Sequence, residues 1–408
     1  MKYLLALCLL ALLPGSSHAD TFVVDSQLGA GADFAQVQGA LDSPLVNNGD
    51  ELLVRPGFYA PIMTRKSVTL RGLGAIPGEV FFFSGPEVNS VFTGCKELLR
   101  VSNVKFQGLL LENCSGPVLI LDVEMASLIL DGVKKARIEN KGSMPTNSYG
   151  VEVRNESRAD FVLCNLRGKT GPVGGTGSNG AWIQERSQVR FADCNIAGGF
   201  GGDAAAHPAD AGDGGVALLV SGGSTVQLIG RQGNAIRGGH GGWGLFIPND
   251  GMGAAAIEVE AGSKVRVSNY NLFGGQDPEG LTTAPVYVGA ASDLVIPDLH
   301  DPLLATSGSF LPGGLSLFSL LGDPNSAVVL FVGTQVKALP LAGVIGSLAT
   351  DFAVPVGVGN TNGAGEYDSI WIMPHHVPLG TLAYVQAGMA YGSDGSSRLS
   401  NPVTLLVE

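Results

Sequence analysis

The feature that most constrains the fold of this chain is a segment that occurs four times between residues 157 and 291. Each copy opens with a serine, continues with apolar residues at alternate positions, and reaches an asparagine and then a glycine. A Gly-rich loop and a short apolar strand complete the repeat. The four copies are 157–168, 187–199, 224–239 and 263–275. Alternating apolar positions without a helical period predict strands, and their repetition predicts the rungs of a β-solenoid.

Such rungs must stack, because a single rung cannot bury its own apolar side. Paired strands lie about 4.8 Å apart, so equivalent residues of successive rungs lie directly above one another. The repeated asparagines therefore predict a ladder at one turn, with amides that bond from rung to rung and cap turn backbone. These asparagines are Asn165, Asn195, Asn234 and Asn271. The pattern predicts an all-β fold with a parallel β-helix over residues 20–297.

Residues 1–19 predict export. Lys2 precedes an apolar run, Pro14-Gly15 interrupts it, and small residues end at Ala19. This is the pattern of a secretory signal peptide, and the apolar run is too short to cross a bilayer. Cleavage between Ala19 and Asp20 predicts a secreted or periplasmic protein without membrane insertion.

The formal net charge of the chain is −12. An acidic surface disfavours nucleic acid and anionic membranes as partners. It favours neutral glycans, or acidic glycans bridged by Ca²⁺, although the need for solubility also explains it. No residue pattern indicates an oligomeric state.

Four cysteines follow the predicted cleavage site, namely Cys95, Cys114, Cys164 and Cys194. Cys164 and Cys194 each precede a ladder asparagine, so we expect them on adjacent rungs with Cα atoms about 5 Å apart, within disulfide range. Export makes oxidation possible. Buried free thiols also fill a solenoid turn well, so the sequence leaves both states open.

The N-terminal segment carries a second pattern. A predicted helix with Asp33 as its N-cap has one apolar face, which would cover the open end of the stack. Gly49-Asp50 then introduces an apolar strand, Pro56-Gly57-Phe58-Tyr59 follows, and residues 67–72 read Ser-Val-Thr-Leu-Arg-Gly. This order resembles the entry of the pectin-lyase-like superfamily of right-handed parallel β-helices. The resemblance covers residues 20–297 and implies the fold but no single activity, because lyases, hydrolases, esterases and adhesins all belong to that superfamily.

The pattern changes near residue 298. Separate strands with turn residues between them follow Pro312-Gly313-Gly314, and their spacing predicts a β-sandwich over residues 298–408. The segment from Pro378 to Pro402 resembles a C-terminal β-domain of exported bacterial proteins, which implies an accessory module. His375-His376 is interpreted as a turn after a strand rather than a metal site.

Four Gly-rich loops fall at the same place in successive rungs, at 168–180, 198–215, 238–255 and 274–284. Because equivalent positions stack, these loops are predicted to project from one side of the solenoid as a contiguous ridge.

Aspartates on this ridge are candidate metal ligands. Polysaccharide lyases of the resembled superfamily pair Ca²⁺, held by clustered carboxylates, with a basic residue. Asp203, Asp210 and Asp213 form the candidate cluster here, and Asp250 in the next loop is a candidate for ligand binding. Oxygen ligands on flexible loops suit Ca²⁺. Solvated turn aspartates produce the same pattern, so a Ca²⁺ cofactor is one of two interpretations.

His240 and Trp243 are the remaining candidates. Polygalacturonase-type hydrolases of the superfamily carry a Gly-His-Gly motif, which Gly239-His240-Gly241 matches, but their Asn-Thr-Asp, Asp-Asp and Arg-Ile-Lys motifs do not occur. His240 is thus a weak catalytic candidate, as are Asp210 and Asp213, and it is also a candidate for ligand binding. Trp243 lies in a Gly-rich loop, where a flat side chain can stack on a sugar ring or anchor the loop.

The sequence leaves three functions open. The first is an exported protein that presents the ridge to a polysaccharide or cell-surface glycan, and the missing catalytic motifs favour it. The second is a polysaccharide-degrading enzyme, either a Ca²⁺-assisted lyase or a glycoside hydrolase, with its site on the same face. The third is a structural spacer in an extracellular layer.

Overall fold

The computed structural model of this chain describes the following residues: 19–83, 89–140, 150–204, 210–230, 234–244, 250–260, 262–268, 270–289, 292–295, 303–308, 314–333, 336–340, 344–345, 347–350, 354–363, 365–372, 374, 382–390, 397–400 and 403–406. The predicted signal peptide, apart from Ala19, and His375-His376 lie outside them. The chain divides into two compact units, Met1–Met125 and Ala126–Glu408. The predicted boundary at residue 298 stays a prediction.

The first unit is built mainly of short parallel strands in three sheets. One sheet holds Thr21–Val24, Glu51–Val54, Thr69–Gly72, Leu99–Ser102 and Val118–Leu121. The second holds Gly57–Tyr59, Val80–Phe82, Lys105–Phe106 and Glu124–Met125. The third holds Met63–Thr64, Ser90–Thr93 and Leu109–Glu112. A 3₁₀ turn spans Pro77–Glu79.

One α-helix, Val37–Asp42, lies among these strands and buries Val37, Ala40 and Leu41. The prediction of Asp33 as its N-cap is wrong, because Gln36 occupies that position without a side-chain cap. Asp33 instead accepts a hydrogen bond from the Val23 N–H at 2.7 Å, which ties the loop before the helix to the first strand.

The second unit continues with parallel strands, and we name its sheets I, II and III. Sheet I holds Ala136–Glu139, Arg158–Val162, Gln188–Ala192, Thr225–Ile229, Lys264–Ser268 and Asp293–Val295. Sheet II holds Leu128–Asp131, Val151–Arg154, Ala181–Ile183, Leu218–Val220, Ile257–Val259 and Val286–Val288. Sheet III holds Asn165–Arg167, Asn195–Ala197, Ala235–Arg237 and Asn271–Phe273.

Each rung of the repeat therefore supplies one strand to each sheet, and equivalent residues pair in register. Phe161 pairs with Phe191, and Phe191 pairs with Leu228 on the next rung. The two phenylalanine rings are fully buried and stack with centroids 5.1 Å apart. Such inward columns of apolar side chains form the core that a single rung cannot make alone.

The serine that opens each repeat forms a buried ladder. Ser157, Ser187, Ser224 and Ser263 are all fully buried. The Ser187 hydroxyl accepts a hydrogen bond from the Ser157 N–H at 3.2 Å, and the Ser224 hydroxyl accepts one from the Ser187 N–H at 3.1 Å. These hydroxyls satisfy turn N–H groups that enter no sheet, which explains why a small polar residue recurs there.

The predicted asparagine turn has an outer and an inner side. Asn165 and Asn195 pair across adjacent rungs and are exposed, and Asn195 Oδ1 accepts a hydrogen bond from the Ala235 N–H at 3.0 Å. On the inner side the Cys164 N–H donates to Cys194 Sγ at 3.4 Å, and the hydroxyl of Tyr270 accepts from the Cys194 N–H at 3.0 Å.

All four cysteines that follow the predicted cleavage site are buried free thiols, one of the two states that the sequence left open. Burial raises the pKa of the Cys194 thiol. Burial also raises the pKa of the Tyr270 hydroxyl, which contacts Cys194. Both groups therefore remain protonated at neutral pH.

The remaining strands pair almost entirely antiparallel. One sheet holds Leu303–Gly308, Leu315–Leu321 and Glu366–Ile372. Another holds Ala327–Gly333, Val344–Ile345, Val354–Asn360, Leu382–Ala390, Ser397–Leu399 and Val403–Leu406. Val336–Pro340 pairs with Ser347–Thr350. A separate apolar cluster around Phe318, Leu330 and Met389 forms the core of this region.

The prediction of an all-β chain with long parallel sheets, as a parallel β-helix requires, is confirmed. Within the described part of the chain, no helix is both long enough and apolar enough to span a membrane.

Replacement of Ser187 by Ala tests the serine ladder. The change removes the acceptor of the Ser157 N–H inside the protein, and an unsatisfied buried donor costs about 1–3 kcal/mol. We expect the free energy of unfolding, measured by urea titration, to fall by that amount. Thr225→Ala on an exposed position of the next rung is the control and should change it by less than about 0.5 kcal/mol. Equal effects of the two substitutions would contradict the ladder.

Candidate functional site

Each Gly-rich loop has two arms. An outgoing arm leaves sheet III, and a return arm leads into sheet II. The described outgoing arms are 168–173, 198–204, 238–244 and 274–279, and the described return arms are 175–180, 210–217, 250–256 and 281–285. The arms lie outside the three sheets, yet they are hydrogen-bonded to one another along their length.

The hydrogen bonds between arms recur every third residue. The N–H groups of Gly198, Gly201 and Ala204 donate to the carbonyl groups of Arg237, His240 and Trp243 on the next outgoing arm, at 2.9, 2.8 and 2.7 Å. Within the second loop, Gly212 and Gly215 donate to Gly202 and Gly199 on the outgoing arm, at 3.0 and 2.8 Å. A period of three residues is that of the polyproline II helix, which has no hydrogen bonds of its own. The arms therefore form a lattice of extended helices that bond only to their neighbours.

In the second and third outgoing arms, glycine is required at two of every three positions. A Cβ atom on Gly198 or Gly201 would overlap a carbonyl oxygen of the return arm. A Cβ atom on Gly199 or Gly202 would overlap a carbonyl oxygen of the preceding loop. Only the third position has space for a side chain, as in collagen, where glycine alone fits the crowded positions. Burial along residues 197–204 follows the same period, because Phe200 and Asp203 are exposed between buried glycines.

The third-position residues of the outgoing arms form a surface that we call the arm face. Three residues make one polyproline II turn, so these side chains point the same way and are spaced about 9 Å along each arm and about 4.8 Å between arms. The last residue of each sheet III strand continues the same period and belongs to this surface. The arm face therefore consists of Arg167, Thr170, Val173, Ala197, Phe200, Asp203, Arg237, His240, Trp243, Phe273 and Gln276.

Aromatic and guanidinium groups stack on the arm face. The Arg167 guanidinium lies 4.5 Å from the centre of the Phe200 ring, and the Arg237 guanidinium lies 4.6 Å from the centre of the Phe273 ring. Phe200 also contacts the His240 ring, at 5.4 Å between centroids. Cations stacked over aromatic rings stabilise such a surface by about 0.5–1 kcal/mol each when exposed.

Trp243 is the most accessible aromatic ring of this surface. The residue is 59% exposed, against 39% for Phe200 and 44% for Phe273. Its backbone is fixed on both sides, because the Trp243 N–H donates to Asp203 Oδ1 at 2.8 Å and its carbonyl accepts from Ala204. Among the described residues no ring or cation stacks on the indole. A flat apolar ring is thus presented to solvent on a rigid backbone.

His240 has a defined orientation. Its Nδ1 accepts a hydrogen bond from the Gln276 N–H at 3.1 Å, so the proton of the neutral imidazole lies on Nε2. Nε2 can therefore donate a hydrogen bond to a ligand. The contact with Gln276 links two successive arms, which gives His240 a structural role as well.

The predicted aspartates hold arms together. Asp203 is on an outgoing arm and accepts from the Trp243 N–H, whereas Asp213 is on a return arm and accepts from the Met252 N–H at 2.7 Å. Asp250 Oδ1 accepts from the Gly244 N–H at 2.5 Å, and Asp210 is exposed on its return arm. The described residues contain no group of three or more His, Cys, Asp or Glu side chains that could hold a metal ion. The Ca²⁺ site at Asp203, Asp210 and Asp213 stays a prediction.

Four residues of the arm face were missed by sequence reasoning. Arg167, Phe200, Arg237 and Phe273 stand in no catalytic motif and lie in different repeats. The triplet period gave a signal that could have found them, since residues 197–203 and 237–243 both read as one side chain followed by two glycines. A strand interpretation with period two hides this grouping.

Sheet II carries a carboxyl group with an altered ionisation. Burial, and then repulsion from Glu260, raise the pKa of Glu258 above its usual value. Glu258 pairs with Leu219 and Tyr287 on the neighbouring rungs, and Leu219 pairs with Trp182. Trp182 lies on the strand Ala181–Ile183, and its indole N–H donates to Ser221 Oγ at 3.2 Å. The raised pKa increases the fraction of Glu258 that is protonated at a given pH, and a protonated carboxyl can donate a hydrogen bond.

Comparison with known proteins adds no family to this description. No protein-family model matches the chain, and no curated protein matches its sequence. The function is therefore argued from the geometry and chemistry of the site itself.

Replacement of Gly201 by Ala tests the arm lattice. The added Cβ would overlap the Gly212 carbonyl oxygen, a backbone atom that is costly to displace, so we expect a loss of about 2–3 kcal/mol in the free energy of unfolding. Phe200→Ala at the adjacent third position is the control, with a loss of about 1 kcal/mol from the stacked ring. Limited proteolysis of the loops should be accelerated in the glycine variant only. Similar proteolysis rates in both variants would contradict a close-packed lattice.

Replacement of Glu258 by Gln tests the raised pKa. A carboxyl whose pKa is higher in the folded than in the unfolded state destabilises the fold once it ionises, so stability falls as pH rises through this range. Glutamine imitates the protonated form, and we expect a higher Tm than that of the unmodified protein at pH 7. At pH 4, where Glu258 is largely protonated, the two Tm values should agree. A Tm difference independent of pH would contradict the assignment.

Proposed function

We propose that this protein is an exported carbohydrate-binding protein whose binding surface is the arm face. The polymer lies across the outgoing arms and stacks a sugar ring on Trp243. Guanidinium groups of Arg167 and Arg237 and the Nε2–H of His240 donate hydrogen bonds to its hydroxyl or carboxyl oxygens.

The observation that carries this proposal is the exposed Trp243 ring on an immobilised backbone. Its N–H and carbonyl are both engaged by the neighbouring arm, at 2.8 and 2.7 Å, so little conformational entropy is lost when a ligand stacks on it. Aromatic rings bind the apolar faces of sugars, while the donors beside them select for oxygen-rich partners.

The spacing of the arm face supports an extended polymer rather than a small molecule. Side chains recur about every 9 Å along an arm and about every 4.8 Å between arms, and the lattice holds four outgoing arms. A surface of this extent contacts several sugar rings at once. An enclosed cavity is not needed, because a polysaccharide that lies across the arm face is contacted at many points along its length.

Localisation and domain roles complete the proposal. The pattern of residues 1–19 supports export, and the parallel sheets support a right-handed parallel β-helix of the pectin-lyase-like type over residues 20–297. In this arrangement the helix Val37–Asp42 covers the open end of the stack, and residues 298–408 form an accessory β-sandwich. A net charge of −12 makes nucleic acid an unfavourable partner.

The test is retention of the purified protein in native gels that contain neutral or acidic polysaccharides, run with Ca²⁺ and with chelator. Trp243→Ala should weaken binding by about 1 kcal/mol, or about fivefold, because one stacking surface is lost. Trp182→Ala is the matched control, since that tryptophan is exposed on sheet II and away from the arm face.

Three other outcomes would change the assignment. Absence of retention on every polymer would overturn carbohydrate binding and favour a structural spacer. Equal retention of the Trp243 variant and the unmodified protein would move the site away from the arm face. Release of new reducing ends or unsaturated products would favour the polysaccharide-degrading alternative.

A further inference from the structure

A second site lies at the turn between sheets II and I, apart from the arm face. A cavity of about 360 Å³, open to solvent, lies at this turn. It is lined by Lys134, Glu156, Arg158, Arg186 and Gln188. Glu156 and Arg186 occupy left-handed turn positions, with φ values of 56° and 58°. Arg158 and Gln188 open adjacent strands of sheet I and pair in register. Two successive rungs and the turn before them therefore contribute to one cavity.

The charge of this cavity is opposite to that of the chain. Its lining carries three cationic side chains and one carboxylate, a sum of +2, whereas the whole chain carries −12. Glu156 is paired with Arg186 at 2.8 Å and with Lys134 at 4.0 Å. These pairs are exposed to solvent and contribute little to stability, so they are weak competitors for a ligand.

Arg158 is the cation that remains available. Among the described residues its guanidinium has no ion-pair partner, and the side-chain amide of Gln188 beside it has no hydrogen-bond partner. A guanidinium offers five donors in a planar fork that fits two oxygens of an oxyanion, and the amide adds further donors.

We propose that this cavity binds a tetrahedral oxyanion, a phosphate or sulfate group. Arg158 contacts two of its oxygens, Gln188 donates from its amide, and Arg186 and Lys134 supply the remaining positive charge. Bidentate contact with guanidinium is the strong form of phosphate and sulfate recognition. Glu156 limits the affinity, because its carboxylate repels the anion and holds Arg186 and Lys134. The site shares no residue with the arm face. A failure of the carbohydrate-binding proposal would therefore not affect the oxyanion proposal, and the reverse also holds.

The test is calorimetric titration of the full chain with inorganic phosphate and, separately, with inorganic sulfate at low ionic strength. Arg158→Ala should weaken binding at least about tenfold, because a charge-assisted contact is lost. Glu156→Gln should strengthen it about threefold or more, because the repelling charge is removed. Lys264→Ala, a cationic position on the same edge of sheet I, is the matched control and should leave the affinity unchanged.

The opposite effects of the Arg158 and Glu156 substitutions distinguish a built site from general attraction to surface cations. Circular dichroism of each variant checks that these exposed positions leave the fold intact. Absence of saturable binding of both ions overturns the proposal, and so does an affinity that Arg158→Ala leaves unchanged.

A second titration distinguishes a sulfate ester on a polymer from a free oxyanion as the ligand. Dextran sulfate and unmodified dextran are compared with inorganic sulfate. Binding of dextran sulfate that exceeds that of inorganic sulfate and is lost in Arg158→Ala supports the site with a sulfate ester on a polymer as its ligand. Equal affinity for the polymer and the free ion supports the site with a free oxyanion.

Discussion

Backbone hydrogen bonding between successive rungs sets the position of every side chain in the parallel part of the second unit. Sheet I aligns Phe161, Phe191 and Leu228 into one buried column, and the same register places Arg158 beside Gln188 at the edge. Because the rungs repeat at about 4.8 Å, a residue type that recurs in sequence becomes a ladder in space. The serine ladder shows the consequence at a turn, where each hydroxyl satisfies an N–H group of the preceding rung.

The arms of the Gly-rich loops are also positioned by backbone hydrogen bonds between successive rungs, but their conformation is that of a polyproline II helix. Strands use a period of two and leave one face for the core, whereas the arms use a period of three and leave a single position for a side chain. In the second and third outgoing arms, glycine at the other two positions permits carbonyl oxygens of neighbouring arms to approach where a Cβ atom would lie. The described arms are consequently an ordered lattice, and their side chains have defined positions, like those on a strand.

This rigidity gives the acidic loop residues a structural interpretation. The carboxylates of Asp203, Asp213 and Asp250 each accept an N–H of a loop segment, which is the role that hydroxyls play in the serine ladder. Aromatic and cationic groups project from the arm face, while a separate group of cations surrounds the cavity at Arg158. Apart from His240, whose Nδ1 accepts the Gln276 N–H, the side chains suited to ligand binding form none of the hydrogen bonds that hold the described arms together.

Local pattern determined much of this protein. Alternating apolar residues, a recurrent serine and asparagine, and the Gly-rich loops at equivalent positions were enough to predict parallel stacked strands and the stacking of Asn165 on Asn195, because these depend on local periodicity. Trp243 and His240 could be chosen from residue type and loop position. Tertiary structure alone decided that Arg167 stacks on Phe200, and that Tyr270 reaches back to Cys194. It also brought Lys134, Arg158 and Arg186 to one cavity. These contacts join residues on different rungs, and their geometry depends on the exact length of each loop and on side-chain packing between rungs, which no local period encodes.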